Sequence, residues 1–298
     1  MEGTDRMEII NGLDFQLQNS SVSLGKFDGV HRGHRFLLHE IQKNKSYIPT
    51  VFTFAMNTEI PKLYTQEEKN RVLEEIGIQR EVVFPFNETT KHMSPEEFVE
   101  EILVKKMDAK HICVGKDFHF GKDRGGDIHT LERFQKKYGY ELVTVPKLYD
   151  DGQVISSTRV RALMDQGNMR KVNELLERPF FVQGTVCHGE ALGRTIGFPT
   201  ANLLAPKGKK LPPFGVYATK VHCGTKVYAG VTNVGNKPTV GSFATGIETC
   251  ILDFEKDIYG KEIQVEFYEF IRPEMKFATL DDLKAQIAKD KSKAQRIV

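Results

Sequence analysis

The sequence predicts an α/β protein in two parts, a parallel-sheet domain followed by an antiparallel β-barrel. Residues 20 to about 145 alternate short apolar strands with helical patterns, which is typical of a parallel sheet with crossover helices. Beyond residue 180, closely spaced strands follow one another with Gly, Pro and Asn between them, which favours an antiparallel barrel. We place the boundary near residue 178, giving domains of 1–178 and 179–298.

Length and composition exclude several classes of protein. A chain of 298 residues with 40% hydrophobic and 28% charged residues is that of a globular protein with two domains. A net charge of +2 does not indicate a nucleic-acid partner, and no apolar run approaches the roughly 20 residues that span a bilayer. The start, MEGTDRMEII, lacks a signal pattern, so a cytoplasmic protein is expected.

The cysteines are expected to be reduced thiols. They lie far apart without a CxxC pair, at Cys113, Cys187, Cys223 and Cys250. Neither a zinc site nor a disulfide framework is therefore indicated.

The first part contains five predicted strands and four predicted helices. The strands are expected at 21–24, 50–54, 81–86, 111–115 and 141–145, and the helices at 35–45, 65–76, 94–107 and 128–138. The third helix has a clear start, because Ser94 at the N-cap, Pro95 and Glu97 form a capping box.

The second part follows a polar helical pattern over 165–177 that Arg178-Pro179 ends. Strands are expected at 180–186, 216–222, 226–231, 247–254 and 262–270. A closing helix is expected over 279–291, because Leu280, Leu283 and Ile287 share one face.

The stretch from Gly25 to His34, GKFDGVHRGH, lies between a predicted strand and a predicted helix. A glycine-containing turn at a helix N-terminus presents backbone N–H groups and the positive end of the helix dipole to an anion. His31 and His34 can face the same phosphate, and HxGH is the signature of the nucleotidyltransferase superfamily. The alternative is a loop with solvated histidines, which the strand–turn–helix context disfavours.

Two more segments follow predicted strands. Residues 114–126, VGKDFHFGKDRGG, have the composition of a mobile loop that closes over a ligand, or of a plain surface loop. Residues 155–161, ISSTRVR, place three hydroxyls before Arg159 and Arg161 at a helix start. Such a turn binds phosphate, and an arginine there can stabilise departing pyrophosphate. Considered alone, this segment is better explained as an ordinary N-cap with solvated arginines.

The second domain carries two polar segments. Residues 188–194, HGEALGR, precede a predicted Pro-Thr-Ala-Asn turn in which the Thr200 hydroxyl and the Asn202 amide offer oxygen ligands to Mg²⁺. Glu248 is expected at the start of a strand, where a carboxylate can accept a proton from a substrate hydroxyl. Considered alone, Glu248 is better explained as a surface residue.

Together these segments resemble the bifunctional riboflavin kinase/FMN adenylyltransferase family, the prokaryotic FAD synthetases. The motifs of the N-terminal half are GKFDGVHRGH, VGKDFHFG and ISSTRVR. Those of the C-terminal half are GTVCHGEALGRTIGFPTANL, GVYA, GVTNVGNKPT, ETCILDF, DIYGKEIQVEF and IRPEMKF. The resemblance implies an N-terminal Rossmann-like nucleotidyltransferase domain and a C-terminal antiparallel β-barrel riboflavin kinase domain with a closing helix.

For the C-terminal domain, the resemblance implies transfer of phosphate from Mg·ATP to riboflavin, giving FMN. The resemblance also implies that Glu248 is the general base and that Thr200 and Asn202 bind Mg²⁺ and the ATP phosphates. Further ATP- or flavin-binding residues are expected at Gly193, Arg194 and Arg272.

For the N-terminal domain, the resemblance implies transfer of AMP from ATP to FMN, giving FAD and pyrophosphate. The attacking phosphate is already anionic, so no base is required, and His31, His34 and Arg161 are the expected catalytic residues. Expected ATP- or flavin-binding residues are Gly25, Phe27, Asp28, Gly29, Asp117, Ser156, Ser157 and Thr158. The implied partners are riboflavin, FMN and ATP, with no nucleic acid and no membrane.

One departure from the family pattern leaves alternatives open. The family usually continues its second strand as TFxPHP, whereas this chain has TFAMNT over 53–58, in which Asn57 is the available hydrogen-bonding side chain. A kinase with a weak or inactive adenylyltransferase domain that only binds flavin or ATP is therefore the second interpretation. A flavin-sensing regulator that binds nucleic acid is disfavoured, because the sequence contains no helix-turn-helix signal. A nucleotidyltransferase for another acceptor is also disfavoured, because such an enzyme would not account for residues 184–277.

Overall fold

The computed structural model describes residues 6–55, 60–189, 197–239 and 242–298. The chain packs into two compact units. One comprises the described residues up to Ile60 together with Gln66–Ser156, and the other comprises Pro61–Thr65 and Ser157–Val298. The division in packing thus falls between Ser156 and Ser157, upstream of the boundary that the sequence predicts near residue 178.

The first unit contains a six-stranded parallel sheet with the strand order β1-β4-β3-β2-β5-β6. Its elements are β1 (Glu8–Asn11), β2 (Ser20–Leu24), α1 (Arg32–Glu40), β3 (Ile48–Ala55), α2 (Gln66–Ile76), β4 (Arg80–Pro85), α3 (Pro95–Glu97), a π-helix (Phe98–Lys106), β5 (Ala109–Gly115), a 3₁₀ turn (Lys122–Arg124), α4 (Ile128–Tyr138), β6 (Glu141–Val145) and the hairpin strands β7 (Tyr149–Asp150) and β8 (Gln153–Val154). The predicted parallel sheet is confirmed. Strand β1, at the sheet edge, is an element that the sequence analysis did not predict.

The strand order of this sheet indicates at which of its edges a ligand is expected to bind. Strand β2 lies between β3 and β5, so the chain crosses to one side of β2 first and to the other side later. The loops that follow β2 and β5 therefore meet at the carboxyl edge, where open α/β sheets bind ligands. All five residues of β2 are buried.

The helix predicted over 94–107 is only partly an α-helix. The capping box is present, because the Ser94 hydroxyl accepts from the Glu97 N–H and the Glu97 carboxylate accepts from the Ser94 N–H. After Glu97 the chain continues as a π-helix, and the Met107 N–H donates to the Ile102 carbonyl, five residues earlier, at 2.9 Å.

The second unit contains a six-stranded antiparallel sheet, a half-barrel with the strand order β10-β13-β12-β11-β14-β9. Its elements are α5 (Ser157–Asp165), α6 (Met169–Leu176), β9 (Phe180–Thr185), β10 (Thr200–Leu204), β11 (Gly215–Cys223), β12 (Lys226–Thr239), β13 (Ser242–Ile251), β14 (Glu262–Arg272) and α7 (Leu280–Ile297). The aromatic rings of Phe180, Tyr217 and Phe267 pack together in its interior.

The helix start predicted at 155–161 and the helical pattern predicted over 165–177 correspond to two separate helices, α5 and α6. Gly167 has a φ of +71°, a conformation that favours glycine, and it separates α5 from α6. Asn168 then caps α6 by accepting from the Lys171 N–H at 3.2 Å. Helix α6 is fastened to the half-barrel by Asn173, which donates to the Phe267 carbonyl and accepts from the Phe180 N–H, both at 2.8 Å.

Two local predictions for this unit were wrong. Thr200 to Asn202, predicted as a turn, lie in strand β10, because that segment pairs with β13 along five registered positions. Glu248, predicted at the start of a strand, lies inside β13, which begins at Ser242. Sequence periodicity did not reveal either extension, since the small and polar residues there gain their extended form from neighbouring strands.

Candidate functional sites

The turn after β2 is held in an unusual backbone conformation. Phe27 and Val30 have φ angles of +48° and +43°, a region that side chains other than glycine rarely adopt, and Gly29 between them has a φ of +81°. Both side chains are fully buried. Packing thus maintains a strained turn, as is common in loops that position ligand-binding groups.

His31 caps helix α1 and fixes the place of the second histidine. Its Nδ1 atom accepts from the His34 N–H at 3.3 Å, so a neutral His31 carries its proton on Nε2. The two imidazole rings stack with centroids 3.7 Å apart and an interplanar angle of 17°. The His34 ring also lies 5.2 Å from that of Phe27. The predicted pairing of the two histidines at one helix N-terminus is therefore present.

Both histidines are held in the neutral form. Burial lowers the pKa of His31 to about 4, against a hydrogen bond that acts in the opposite direction. Burial also lowers the pKa of His34, and the charges of His31 and Lys69 lower it further. At neutral pH these side chains are hydrogen-bonding groups, and the positive potential of the turn comes from the helix N-terminus.

The turn is tied to the hairpin that precedes Ser156. The Arg32 guanidinium donates to the Asp150 carboxylate at 3.2 Å, and the Asp150 side chain is 8% exposed. Gly33 lies close to the Ile155 carbonyl, since a Cβ at Gly33 would be 3.8 Å from that oxygen. Ser156 thus follows directly on a segment fastened beside the HxGH turn.

A buried ion pair joins helix α2 to strand β4. The Lys69 ammonium of α2 is 2.7 Å from the Glu81 carboxylate, which is fully buried. Thr53 and Gln66 donate to the same carboxylate at 3.2 and 3.0 Å. Sequence reasoning missed Lys69, Glu81 and Asp150, because their partners are distant in the chain.

The remaining residues predicted for adenylyl transfer are distributed over both units. Asp117 follows β5 at the carboxyl edge and pairs with Lys147 at 3.0 Å. Ser157, Thr158 and Arg161 form the first turns of α5, in the second unit. Arg161 donates to the Pro61 carbonyl at 3.3 Å. Asn57 lies outside the described residues.

The half-barrel brings the predicted kinase residues together. Asn202 of β10 and Glu248 of β13 are directly paired across the two strands. Directly opposed residues of antiparallel strands point to the same face, with Cβ atoms about 4.5–5.5 Å apart. On its other side Glu248 is paired with Asn233 of β12. Glu248 therefore stands between two asparagines, of which the sequence analysis identified only Asn202.

Thr200 and Asn202 line a cavity of about 300 Å³. The remaining lining comes from Val186, Pro199, Ala201, Ile251, Phe254, Glu255, Lys256, Asp257, Ile258 and Tyr259. Gly189 covers the Asn202 amide closely, because a Cβ at Gly189 would be 2.6 Å from Nδ2 of Asn202. The Asn202 side chain is thereby confined to one position, and only 4% of the residue is exposed.

Arg272 has well-defined protein partners. Its guanidinium donates to the Asp290 carboxylate of α7 through Nε and Nη2, at distances of 2.8 to 3.2 Å, and through Nη1 to the Pro273 carbonyl. This ion pair fastens α7 to the end of β14. Gly193 and Arg194, predicted for a covering loop, lie outside the described residues.

Comparison with known proteins identifies both halves. A family model described as riboflavin kinase matches residues 176–298, and one described as FAD synthetase matches residues 14–159. The bifunctional riboflavin kinase/FMN adenylyltransferase of Escherichia coli K12 is 38% identical over 287 residues, which cover 92% of this chain and 91% of that protein. This chain belongs to that family. It is accordingly a two-activity, ATP-dependent enzyme of flavin-cofactor synthesis, a transferase with kinase and nucleotidyltransferase halves.

Other relatives extend the same similarity. The family member of Bacillus subtilis is 36% identical over 293 residues, with 93% of this chain and 92% of that protein covered. A solved structure, named as a macrolide-efflux protein from Streptococcus pneumoniae, is 30% identical with a TM-score of 0.86 and covers 96% of this chain and 99% of its own. Within the described residues, no helix is both long and apolar enough to cross a bilayer.

Proposed function

We propose that Glu248 accepts the proton of the riboflavin 5′-hydroxyl during phosphoryl transfer, while Thr200 and Asn202 hold the metal and the ATP phosphates. The observation that supports this assignment is the direct pairing of Asn202 with Glu248 on adjacent strands. Phosphoryl transfer depends mainly on positioning and charge neutralisation. A base placed one strand away from the phosphate-binding side chains meets that requirement.

The residues present fit Mg²⁺ as the metal. Thr200 and Asn202 offer neutral oxygens at the wall of a cavity, and within the described residues no cluster of three His, Cys, Asp or Glu side chains forms a metal cage. Mg²⁺ typically takes one or two protein oxygens and completes its shell with water and substrate phosphates. When bound there, Mg²⁺ would neutralise the charge of the ATP phosphates.

For adenylyl transfer, we assign ligand-binding roles to the turn after β2. The N–H groups at the start of α1 and the Nε2–H of His31 donate hydrogen bonds to phosphate oxygens. His34, stacked on His31, keeps that ring in place. Gly25, Phe27, Asp28 and Gly29 shape the turn. Asp117 and Ser156 supply polar contacts from the adjoining segments of the first unit. For Ser157, Thr158 and Arg161, in the second unit, binding of the departing pyrophosphate is what the family resemblance implies.

The kinase assignment is tested with Glu248→Gln, assayed for FMN formation from riboflavin, ATP and Mg²⁺. Loss of a general base lowers turnover by about 10²-fold or more, while the KM values for ATP and riboflavin change little. Glu262→Gln is the matched control, because Glu262 is an exposed strand glutamate that accepts from the Gln183 amide. Turnover of Glu248→Gln near that of the control would remove Glu248 from the mechanism.

The adenylyltransferase assignment is tested by supplying FMN directly, which bypasses the kinase step. We expect FAD from FMN, ATP and Mg²⁺, and loss of that activity in His31→Ala, despite the replacement of TFxPHP by TFAMNT. A missing neutral contact costs about 0.5–1.5 kcal/mol, which slows a reaction roughly tenfold. Absence of FAD after long incubation, with riboflavin still phosphorylated, would support the alternative of an inactive domain.

Two further proposals concern organisation and location. We propose that 1–178, the adenylyltransferase domain, and 179–298, the kinase domain, each carry the residues assigned to their reaction, while α6, which precedes residue 179, packs on the half-barrel of the kinase domain. We also propose a cytoplasmic enzyme. Its four cysteines are free thiols, which fits a reducing compartment.

A further inference from the structure

A carboxylate outside the predicted kinase site fixes the second asparagine beside Glu248. The Asn233 amide donates from Nδ2 to the Glu274 carboxylate at 3.1 Å. Glu274 follows β14, whereas Asn233 lies in β12, so the bond joins two segments 41 residues apart. Both residues lie in segments that carry the family resemblance, GVTNVGNKPT and IRPEMKF, but neither was identified as a site residue from the sequence.

The Glu274 carboxylate lies against Gly235, a residue that has no side chain. A Cβ placed on Gly235 would lie 2.2 Å from Oε1 of Glu274 and 3.2 Å from Nδ2 of Asn233. No side chain can therefore occupy position 235 while Glu274 stays where it is. The hydrogen bond and the close approach to Gly235 both result from one placement of the exposed Glu274 side chain.

The chemistry of the contact sets the orientation of Asn233. An ionised carboxylate only accepts hydrogen bonds, so the amide must turn its NH₂ group toward Glu274. Asn233 is directly paired with Glu248 on the next strand, which places the two side chains on one face. One N–H of the amide is taken by Glu274, and the amide then has a single orientation relative to the Glu248 carboxylate.

We infer that Glu274, acting through Asn233, is a positioning residue for Glu248 in the kinase reaction. The oriented amide restricts the rotamers of the Glu248 side chain, so that one carboxylate oxygen faces the substrate hydroxyl. Glu274 itself touches no reacting atom in this assignment. The inference deepens the proposed function and rests on Glu248 being the base.

A double-mutant cycle tests the inference on the full chain. Glu274→Ala and Asn233→Ala are each expected to lower kcat for FMN formation about tenfold, the scale of a misplaced catalytic group, with KM for ATP and riboflavin within twofold of wild type. The double variant should be no slower than either single variant, because Glu274 acts only through Asn233. Gly235→Ala, whose Cβ displaces the carboxylate, should behave like Glu274→Ala.

Glu262→Ala serves as the matched control, since Glu262 also accepts from an amide on a neighbouring strand, at 2.5 Å, but belongs to the β14–β9 pair. Unchanged KM for ATP shows that each variant is folded, and Asn233→Ser replaces Asn233→Ala should the latter not fold. Additive losses in the double variant, or a raised KM for riboflavin at unchanged kcat, would overturn the inference. Wild-type turnover in Glu248→Gln, measured in parallel, would instead refute the proposed base.

Discussion

The imidazole rings of His31 and His34 stack 3.7 Å apart, with His31 accepting from the backbone N–H of His34. Two stacked imidazolium ions would repel each other in a buried place, and burial lowers the pKa of both groups. Both signature histidines are therefore uncharged at neutral pH. The positive potential of this turn comes from the N-terminus of α1.

We predict that His31 stays neutral down to about pH 5. Its folded pKa of about 4 lies below the ordinary value of 6.5, so the unfolded chain binds more protons between these two pH values. The contribution of His31 to stability is thus fully present above pH 6.5 and is lost as the pH falls toward 4. Histidine NMR signals, assigned with His31→Gln, measure the titration. A midpoint near 6.5 would contradict the prediction.

The Lys69–Glu81 pair gives a second prediction. Glu81→Gln leaves the buried Lys69 ammonium without its charged partner, and we expect a loss of about 3–5 kcal/mol in the free energy of unfolding of the first unit. Lys69→Met combined with Glu81→Gln should recover much of this loss, because no unpaired charge remains. Urea unfolding followed by circular dichroism measures both. Equal destabilisation in the single and double variants would argue against a coupled pair.

An exposed pair provides the control for that experiment. Lys91 and Glu88 form an ion pair at 2.6 Å in which the Glu88 side chain is 85% exposed. Solvent-exposed pairs contribute little to stability, so the urea midpoint of Glu88→Gln is expected to stay close to that of the wild type.

The contrast between what the sequence predicted and what it missed has a physical basis. The HxGH turn was recognisable because its residues are adjacent in the chain, and helix α4 and strand β6 were predicted with their observed bounds. Lys69 and Glu81 meet only after α2 packs on the sheet. Asn233, between Thr232 and Val234 in a glycine-containing stretch, was not identified as a site residue, because its position opposite Glu248 arises only when β12 pairs with β13.

The Arg32–Asp150 ion pair predicts a selective effect on adenylyl transfer. Asp150→Asn weakens the link between the HxGH turn and the hairpin before Ser156, and we expect FAD formation from FMN to fall about tenfold, since small displacements of catalytic groups are costly. FMN formation from riboflavin should stay within twofold, because the residues assigned to that reaction lie in the half-barrel. Separating FMN and FAD by chromatography measures both activities in one preparation. Equal losses would indicate general destabilisation.

The packing of helix α6 on the half-barrel indicates where the chain can be divided to give a stable kinase fragment. Val172, Leu175 and Leu176 are fully buried, and α6 is hydrogen-bonded to β9 and β14 through Asn173. A fragment of 179–298 retains the assigned kinase residues but exposes the surface that α6 covers. Burial of each such side chain contributes about 1.5–3 kcal/mol, so the loss approaches the net stability of an ordinary domain.

We therefore expect a fragment of 157–298 to fold cooperatively and to phosphorylate riboflavin, and the 179–298 fragment to have a lower Tm and lower activity. Asn173→Ala in the longer fragment separates the contribution of the hydrogen bonds of α6 to stability from the contribution of its apolar packing. It removes both hydrogen bonds to the half-barrel while keeping the apolar face, and a partial decrease in Tm is expected because each bond contributes about 0.5–1.5 kcal/mol. Scanning calorimetry together with the FMN assay compares the three proteins. Identical Tm and turnover in the two fragments would show that the kinase domain begins at residue 179 and that α6 contributes nothing to it.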